Sequence, residues 1–411
     1  MKKVKKSLAV VLAAVLALSL FITACSNNTP SASGNSPSPA VTNPGESEGG
    51  TFTLPSVISW TAYDVGGTGY IHASAIANAL KQQYGITMRV VPAGTDVARI
   101  SPLLTGAVDF CATGSGSWLA FEGLEEFSTS EWGPQNLRLV WDCVPDTGMC
   151  MATAADADIK TAADAAGKRV AYVVGNPSTN LQMEAFLAFG GLTWDDVQVV
   201  EYASYSAALQ GLVENTCDAA PATSDGSTLY ELESSSRGYY IVPMPAEDTE
   251  GWARLQAICP YLVPAVATSG AGCSPENPVE ISRFPTPNLV TYAEQDADYV
   301  YEMCKMIDET FDLYKDAHAS TSGWAIDRLE KQWVIPMHEG SIRYLTEVGH
   351  WTQEDQEYND ALLERQEVLS QAFDSTLDES YANSVNSADF QQLWLDNRSA
   401  ALEAAGLETY R

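Results

Sequence analysis

Basic residues are scarce in this chain. Lysine and arginine together number 22 against 53 aspartates and glutamates, and the formal net charge is −31 at pH 7. So acidic a chain lacks the positive surface that attracts nucleic acid or anionic lipid. No nucleic-acid partner is therefore expected. The overall charge does not identify a small ligand, because a local site can oppose it.

Metal-binding and catalytic motifs are also missing. The sequence has no CxxC pair, and its four histidines, His72, His318, His338 and His350, are scattered. A zinc site is therefore poorly supported, and no metal or cofactor is predicted. Neither a GxSxG serine motif nor a Walker GK[ST] motif occurs, and no nucleophile can be paired with a base. These absences argue against an enzyme, so no catalytic residue is assigned.

The cysteines leave their pairing open. One of the eight belongs to the N-terminal segment, and the remainder is an odd number. Cys143 and Cys150 lie close enough in sequence to pair locally, and so do Cys259 and Cys273. Cys304 falls on the apolar face of a predicted helix, which favours a buried free thiol.

The N-terminal segment has the pattern of a bacterial secretory signal. Lys2–Lys6 is positively charged, and Leu8–Ile22 is an apolar run. This run is shorter than the ~20 residues of a membrane span, which disfavours an anchor helix, and nothing later in the chain is apolar enough to cross a membrane. Ile22–Cys25 resembles the lipobox of bacterial lipoproteins. The resemblance implies lipid attachment at Cys25 and an exported protein, held on the outer face of the cytoplasmic membrane or in the periplasm.

The segment after this cysteine is rich in Ser, Asn, Pro, Thr and Gly and has almost no apolar content. Such a stretch cannot bury a core and is predicted to be a disordered tether. The predicted divisions are thus a signal peptide over 1–24 and a tether over 25–50. The rest of the 411-residue chain is long enough for two domains.

From residue 52 onward, short apolar runs alternate with helical patterns. Phe52–Ser59 predicts a strand, and Tyr70–Tyr84 predicts a helix that ends at Gly85. The same alternation continues beyond residue 167, so the sequence predicts an α/β chain with parallel sheets and helices on both faces. The C-terminal third becomes helical, as in the amphipathic pattern at Ala361–Phe373, and is predicted to decorate one lobe.

Three loops share one pattern, in which small hydroxyl-bearing residues and glycines stand between a strand and a helix. A helix N-terminus offers unpaired N–H groups and partial positive charge, and glycine lets a ligand approach the backbone. In open α/β sheets such loops gather beyond the carboxyl ends of the strands. The candidate ligand-binding residues are Gly67, Thr68, Tyr70, Thr113, Ser115, Ser117, Gly175, Ser178, Thr179 and Asn180.

Each of these loops taken singly is also explained as an ordinary helix N-cap. Their recurrence in one exported chain favours a ligand site. Because they contain no arginine or lysine, a small carboxylate would be held by backbone N–H groups and by the hydroxyls of Thr68, Ser115, Ser178 and Thr179. Tyr70 would close over an apolar part of the solute. The ten tryptophans are attributed to packing rather than to sugar stacking.

Several segments share ordered motifs with one known protein family. The most specific is Ile335–Tyr344 (IPMHEGSIRY), close to a family segment of the form PxHxGAxRYY. The others are Gly66–Tyr70 with Ala77–Leu80, Leu104–Phe110, Gly167–Val170, Gly191–Val197, Cys217–Ala220, and Leu289–Tyr292 through Asp312. Together these segments resemble the TAXI family, the solute-binding subunits of one class of TRAP transporters, over residues 52–350. Two departures fall at the proposed cleft: Asn176–Thr179 replaces a Gly-Ser-Gly-Thr turn, and Ser115 is followed by Gly116 rather than by aspartate.

This resemblance implies a type II periplasmic-binding-protein fold, an α/β architecture of two lobes with a hinge and an interlobe cleft. Lobe 1 is assigned to 51–148 and 262–411 with the C-terminal helices, and lobe 2 to 149–261. It also implies a monomeric binding protein, not an enzyme. It would capture a small organic anion, either an amino acid such as glutamate or a dicarboxylate, and deliver it to a TRAP-type permease.

Other functions remain open from the sequence alone. A binding protein that feeds a sensor kinase would carry the same motifs. An exported hydrolase would need a nucleophile and a base, which the sequence does not offer. An adhesion or structural lipoprotein would share the N-terminal signal but would bind no small solute. Within the family-like segment, His338 and Arg343 are predicted to brace one lobe or the hinge rather than to bind the ligand.

Overall fold

The structure of the protein, a computed structural model, describes residues 52–410. The predicted signal peptide, the tether and the lipid attachment at Cys25 lie outside the described residues. In chain order, strands β1 to β12 span Val57–Ala62, Thr87–Pro92, Phe110–Thr113, Leu137–Asp142, Met149–Ala154, Arg169–Val173, Gln198–Tyr202, Ala219–Thr223, Tyr239–Ile241, Val263–Ala267, Val279–Arg283 and Asn288–Tyr292. Helices α1 to α12 span Thr68–Tyr84, Asp96–Leu104, Gly116–Glu122, Pro177–Phe189, Tyr205–Val213, Ser227–Ser234, Thr249–Gln256, Ala297–Glu309, Phe311–Tyr314, Glu339–Glu347, Gln353–Asn383 and Ser387–Ala404.

The strands form two sheets. The first has the order β2-β1-β3-β12-β4, and the second has the order β10-β11-β5-β8-β6-β7, with β9 beside β5. β1 pairs in parallel with β2 and β3, and β6 pairs in parallel with β7 and β8. The strands β12 and β5 are antiparallel to their neighbours, so both sheets are mixed rather than purely parallel. The predicted two-lobe α/β fold is confirmed.

Helix α1 illustrates how local sequence sets these elements. Ala73, Ile76 and Leu80 recur at helical spacing and are all buried against the first sheet. The helix ends at Gly85, whose φ of 71° lies in the left-handed region that glycine adopts without steric cost. Its N–H bonds to the Lys81 carbonyl and closes the last turn.

The chain crosses between the two sheets in two adjacent segments. The first crossing runs from the end of β4 to the start of β5, and the second from the end of β11 to the start of β12. The two segments bond to each other, since Thr286 N donates to Cys143 O at 2.8 Å and Cys143 N donates to Pro287 O at 3.1 Å. A paired double crossing is a natural hinge, because two short segments can absorb a change in the angle between lobes.

The second crossing comes later than the sequence predicted. Residues from 262 onward were assigned to lobe 1, yet β10 and β11 belong to the second sheet. β11 pairs with β5 through Ser282 and Met149, far apart along the chain. The return to the first sheet therefore falls after Arg283. Hydrophobic pattern alone does not tell which sheet a strand joins, and this is why the boundary was misplaced.

The C-terminal helices are held on the first lobe by a buried charge cluster. Glu122, at the end of α3, accepts hydrogen bonds from Arg365 of α11 and Arg398 of α12. The Arg365 contacts measure 2.6 and 2.9 Å. Trp394 of α12 also donates to the Gly123 carbonyl at 2.6 Å. A charge this deeply buried is tolerated only because it is paired.

The cysteine pairings left open by the sequence do not form. Cys143 and Cys150 lie on opposite sides of the first crossing, and both are buried free thiols. Cys273 is likewise a buried free thiol, so it does not pair with Cys259. The thiol of Cys304 is buried and donates to the Val140 carbonyl at 3.5 Å. Within residues 52–410, no helix combines the length and the apolar content that a membrane crossing requires.

Candidate functional site

A cavity of about 300 Å³ lies between the two sheets. Its walls come from the loops that follow β1 and β3 on one side and β6 and β8 on the other, together with both crossing segments. The cavity thus occupies the crevice beyond the carboxyl ends of strands, where open α/β sheets bind ligands. Its volume is at the lower end of the range for small-molecule pockets, which suits a solute of few heavy atoms.

The predicted residues divide evenly between those that line this cavity and those that do not. The lining set is Gly67, Thr68, Ser115, Ser178 and Thr179. These five come from all three predicted loops, so the structure brings those loops together around one space. The remaining five are Tyr70, Thr113, Ser117, Gly175 and Asn180, which do not appear among the cavity walls.

Internal hydrogen bonds account for three of these exclusions. Thr113 is buried in β3, where its hydroxyl accepts from Arg99 Nε at 3.4 Å. The Ser117 hydroxyl donates to the Gly114 carbonyl at 2.8 Å. The amide of Asn180 bonds to both the N–H and the carbonyl of Val173 and so ties α4 to β6. Each side chain supports a loop instead of facing a ligand.

The other two exclusions concern the flanks of the loops. Gly175 is exposed and turns the chain with a φ of 71°, which explains the glycine without any ligand. Tyr70 lies in the first turn of α1, is half-buried and packs against the hydrophobic core. It is not among the residues that line the cavity, and its contact with the solute stays a prediction.

The capping geometry distinguishes the side chains that cap helices from the hydroxyls that do not. Helix α1 begins after Gly67 without any side-chain cap, so Thr68 is not its capping residue. Helix α4 is capped by Asn176, whose side chain accepts from Thr179 N at 3.4 Å. The side-chain hydroxyls of Thr68 and Thr179 make no hydrogen bond within the described part of the chain. Both are therefore available to a ligand.

Two hydrogen bonds join the lobes across the cavity wall. Gln182 of α4 donates to the Ser115 hydroxyl at 3.0 Å. Asn176 donates more weakly to the Gly94 carbonyl at 3.4 Å. Both donors belong to the second lobe and both acceptors to the first, so these contacts hold the lobes in a closed arrangement.

An ion pair that the sequence reasoning missed also lines the cavity. Asp96 and Arg99 lie one turn apart on α2 and pair with each other while both are buried. Arg99 also donates to the Ala93 carbonyl at 3.1 Å. Burial acts to lower the pKa of Arg99, but the Asp96 carboxylate outweighs it and raises that pKa. A positive charge so fully partnered offers little to an anionic ligand.

Tyr63 covers this ion pair on the cavity side. Its ring centroid lies 4.5 Å from the Arg99 guanidinium carbon, a cation–π contact. Burial raises the pKa of Tyr63 to about 12, so the phenol stays neutral. The ring fits because residue 69 is glycine, where a Cβ would lie 2.2 Å from the tyrosine ring. The glycine of the first loop is thus needed for packing as well as for backbone access.

Asp225 is the second group that sequence reasoning missed. It follows β8, lines the cavity and is 1 % exposed. Neither carboxylate oxygen has a hydrogen-bond partner among the described residues. The signal was present, because Thr223–Thr228 repeats the pattern of a strand followed by small hydroxyl residues and glycine.

His338 and Arg343 lie away from the cavity. His338 is buried at the start of α10, where its Nδ1 accepts from Gly340 N at 3.1 Å. Arg343 pairs with Asp298 at 2.7 Å, with both side chains about half-exposed, and lies over the Tyr301 ring. Neither residue is part of the cavity wall.

Replacing Arg343 by alanine is expected to lower the free energy of unfolding by less than about 1 kcal/mol, because exposed ion pairs contribute little. Ligand affinity should stay unchanged. Urea unfolding and calorimetric titration would measure the two effects. Arg89→Ala, an exposed arginine of β2, is the matched control. A stable Arg343→Ala protein that no longer binds its solute would place Arg343 in the site instead.

Residues 52–410 contain no group of three or more histidine, cysteine, aspartate or glutamate side chains arranged to hold a metal ion. No tryptophan is among the residues that line the cavity. Trp60, Trp118, Trp141, Trp324 and Trp394 are all fully buried in the hydrophobic core.

Comparison with known proteins gives one family and several distant structures. The model of the NMT1-like family matches residues 61–349, which is more than half of the chain. The alkanesulfonate-binding protein SsuA from Xanthomonas axonopodis pv. citri, solved bound to MOPS, is 15% identical, with coverage of 84% of this chain and 96% of that protein and a TM-score of 0.41. The aliphatic sulphonate binding protein SsuA from Escherichia coli is also 15% identical, with coverage of 87% and 90% and a TM-score of 0.41. Holo ArgBP from T. maritima is 14% identical, with coverage of 60% and 86% and a TM-score of 0.35.

Proposed function

The chain belongs to the NMT1-like family, and we propose that it is an exported solute-binding protein that captures a small polar molecule between its lobes and delivers it to a membrane transporter. The activity is binding rather than catalysis. The open lobes admit the solute, and closure about the paired crossing segments buries it. Solute and transporter then act on the same equilibrium between open and closed forms.

The observation that carries this proposal is the cavity at the junction of the lobes. It is bounded by hydroxyl-bearing loops from both lobes, and within residues 52–410 the chain passes between those lobes only through the two crossing segments. A solute that contacts both sides stabilises the closed form, because its binding energy depends on closure. The interlobe bond from Gln182 to Ser115 lies in the wall and would strengthen the same closed form.

The finer assignment is part of the proposal. The ordered motifs that resemble the TAXI family support a TRAP-type permease as the partner. The lipobox-like Ile22–Cys25 supports a lipid anchor, which would keep the binding protein near that permease. The solute would be an amino acid or a dicarboxylate, because a cavity of about 300 Å³ admits molecules of this size.

A thermal-shift screen of the full chain tests the proposal. The panel would hold amino acids, dicarboxylates, sulfonates and neutral sugars. A specific solute should raise the Tm in a concentration-dependent way. The bound solute should be recovered chemically unchanged, and cells that lack the protein should lose uptake of that solute at low concentration. A solute converted to product would indicate an enzyme, and a Tm unmoved by every compound would exclude solute binding.

The unpaired hydroxyls of the wall provide a sharper prediction. Thr68→Ala and Thr179→Ala should each weaken binding of the solute found by the screen by about tenfold or more, because a hydrogen bond to a charged group contributes roughly 1.5–3 kcal/mol. The fold should survive, since neither hydroxyl bonds to another described residue. Calorimetric titration gives the affinities, and Thr346→Ala, an exposed threonine of α10, is the control. Parental affinity in both variants would show that these loops do not contact the solute.

A further inference from the structure

Among the described acidic residues of the cavity wall, only Asp225 is almost fully buried with no hydrogen-bond donor to either carboxylate oxygen. Its side chain is 1 % exposed, and Oδ1 and Oδ2 are both unpartnered. Burying an unpaired carboxylate is costly, and folded proteins normally satisfy such groups. Helix α6 starts just beyond it, but no backbone N–H of that helix reaches either oxygen.

The nearest basic side chain is His318, across the cleft. Its Nδ1 lies 3.5 Å from Asp225 Oδ2, which would be an ion pair only if the imidazole carried its second proton. The same Nδ1 lies 3.0 Å from the Ser320 hydroxyl. Whether His318 can donate a hydrogen bond to Asp225 therefore depends on which atoms donate and which accept at the Ser320 hydroxyl.

The position of the proton on His72 determines which atoms donate in these hydrogen bonds. Burial lowers the pKa of His72 to about 3, so this imidazole is neutral and carries one proton. Trp324 Nε1 donates to His72 Nδ1 at 3.1 Å, which places the proton of His72 on Nε2. His72 Nε2 then donates to the Ser320 hydroxyl at 2.8 Å. The Ser320 hydroxyl is then free to donate to His318 Nδ1, and the 3.5 Å contact of that nitrogen with Asp225 Oδ2 is not a hydrogen bond.

The remaining charges of the wall do not compensate Asp225. Arg99 is the cation among the described lining residues, and it is committed to Asp96, the Ala93 carbonyl and the Thr113 hydroxyl. Asp64 adds a further acidic side chain to the wall. The cavity therefore has more negative than positive charge, and a dianion placed there would face like charges.

We propose that Asp225 binds a protonated amine of the solute, and that the solute class is a small amine-bearing molecule such as an amino acid rather than a dicarboxylate. The inference rests on the proposed solute-binding function and narrows its ligand. An ammonium group supplies three hydrogen-bond donors and a compact positive charge. Both are missing around the Asp225 carboxylate, whose two oxygens accept no hydrogen bond from a described residue. The hydroxyls of Thr68 and Thr179 remain for the carboxylate of a zwitterion.

Matched pairs of probes test this assignment on the full chain. L-Glutamate and glutarate differ only in the α-amine. The other amine-bearing probes are the remaining standard amino acids and putrescine, and succinate is a second dicarboxylate without an amine. At least one amine-bearing probe should bind, and its counterpart without the amine should bind at least about tenfold more weakly, as expected for loss of a charged hydrogen bond. Calorimetric titration measures each affinity.

Variants at the same position separate a ligand-binding role from a structural one. Asp225→Asn should lower the affinity for the amine-bearing probe at least about tenfold, because the asparagine amide lacks the negative charge. The same change should leave the Tm of the unliganded protein equal or higher, since it removes a buried unpaired charge. Asp312→Asn, at an exposed aspartate, should change neither.

The possible outcomes distinguish failure of the amine assignment from failure of the proposed solute-binding function. If dicarboxylates or sulfonates bind the parent and Asp225→Asn keeps or improves their affinity, the amine assignment is overturned and the binding function stands. If Asp225→Asn binds the amine-bearing probe like the parent, Asp225 does not contact the ammonium. If no probe of any class binds the parent, the solute-binding function fails and the inference fails with it.

Discussion

Replacing Glu122 by glutamine is expected to lower the free energy of unfolding by about 3–5 kcal/mol, the cost of removing one partner from a buried ion pair. Glu122 is 1 % exposed and is contacted by Arg365 and Arg398, whose side chains are 8 % and 0 % exposed. Without the carboxylate, two guanidinium groups remain buried together with no counter-charge. Burial already lowers the pKa of Arg398, against the opposing effect of Glu122.

Guanidinium unfolding of the full chain would measure this loss. Glu364→Gln is the matched control, because this glutamate lies on α11 beside Arg365 but is exposed. Combining Glu122→Leu with Arg365→Met and Arg398→Leu should recover much of the loss, since an apolar triad needs no counter-charge. A loss below about 1 kcal/mol for Glu122→Gln would mean that both arginines reach solvent in the folded protein.

The three loops of the site could be predicted because their signal is local. A strand followed by glycine and hydroxyl residues and then a helix is visible in about fifteen residues, and parallel strands bring such loops to one edge. Thr68, Ser115 and Thr179, predicted in this way, line the cavity. Asp225 carries the same signal, but its helix α6 is short, and the pattern is correspondingly weak.

Which side chain within a loop faces the cavity could not be read from the sequence. Thr113 and Ser115 are two residues apart, yet one bonds to Arg99 inside the first lobe and the other accepts from Gln182 across the cleft. Asn180 suited the loop pattern equally well but ties α4 to β6. These assignments depend on partners distant in sequence, and no local pattern specifies those partners.

Long-range pairing also limited the fold prediction. The strands after residue 262 join the second sheet because β11 bonds to β5, across more than a hundred residues of chain. Helix α11 extends over Gln353–Asn383, well beyond the predicted Ala361–Phe373, since its ends are set by a Thr352 capping box and by Ser384 in the left-handed region. Its polar outer face gave no apolar periodicity from which those ends could be predicted.

The second large effect on stability is expected at the Asp96–Arg99 ion pair, which lines the cavity. Arg99→Leu is expected to lower the free energy of unfolding of the unliganded protein by about 3–5 kcal/mol at neutral pH, because it leaves the Asp96 carboxylate buried and unpaired. One oxygen of Asp96 already lacks a partner among the described residues. The Asp96 carboxylate packs directly against Gly116 of α3, where an added Cβ would overlap it.

A double-mutant cycle tests this account. Asp96→Leu with Arg99→Leu should be more stable than Arg99→Leu alone, because the orphaned charge is gone. The pair Asp312 and Lys315 has the same spacing but is exposed, so Lys315→Leu should leave the unfolding midpoint nearly unchanged. A double variant as unstable as Arg99→Leu would show that packing by the arginine side chain, rather than its charge, stabilises this wall of the cavity.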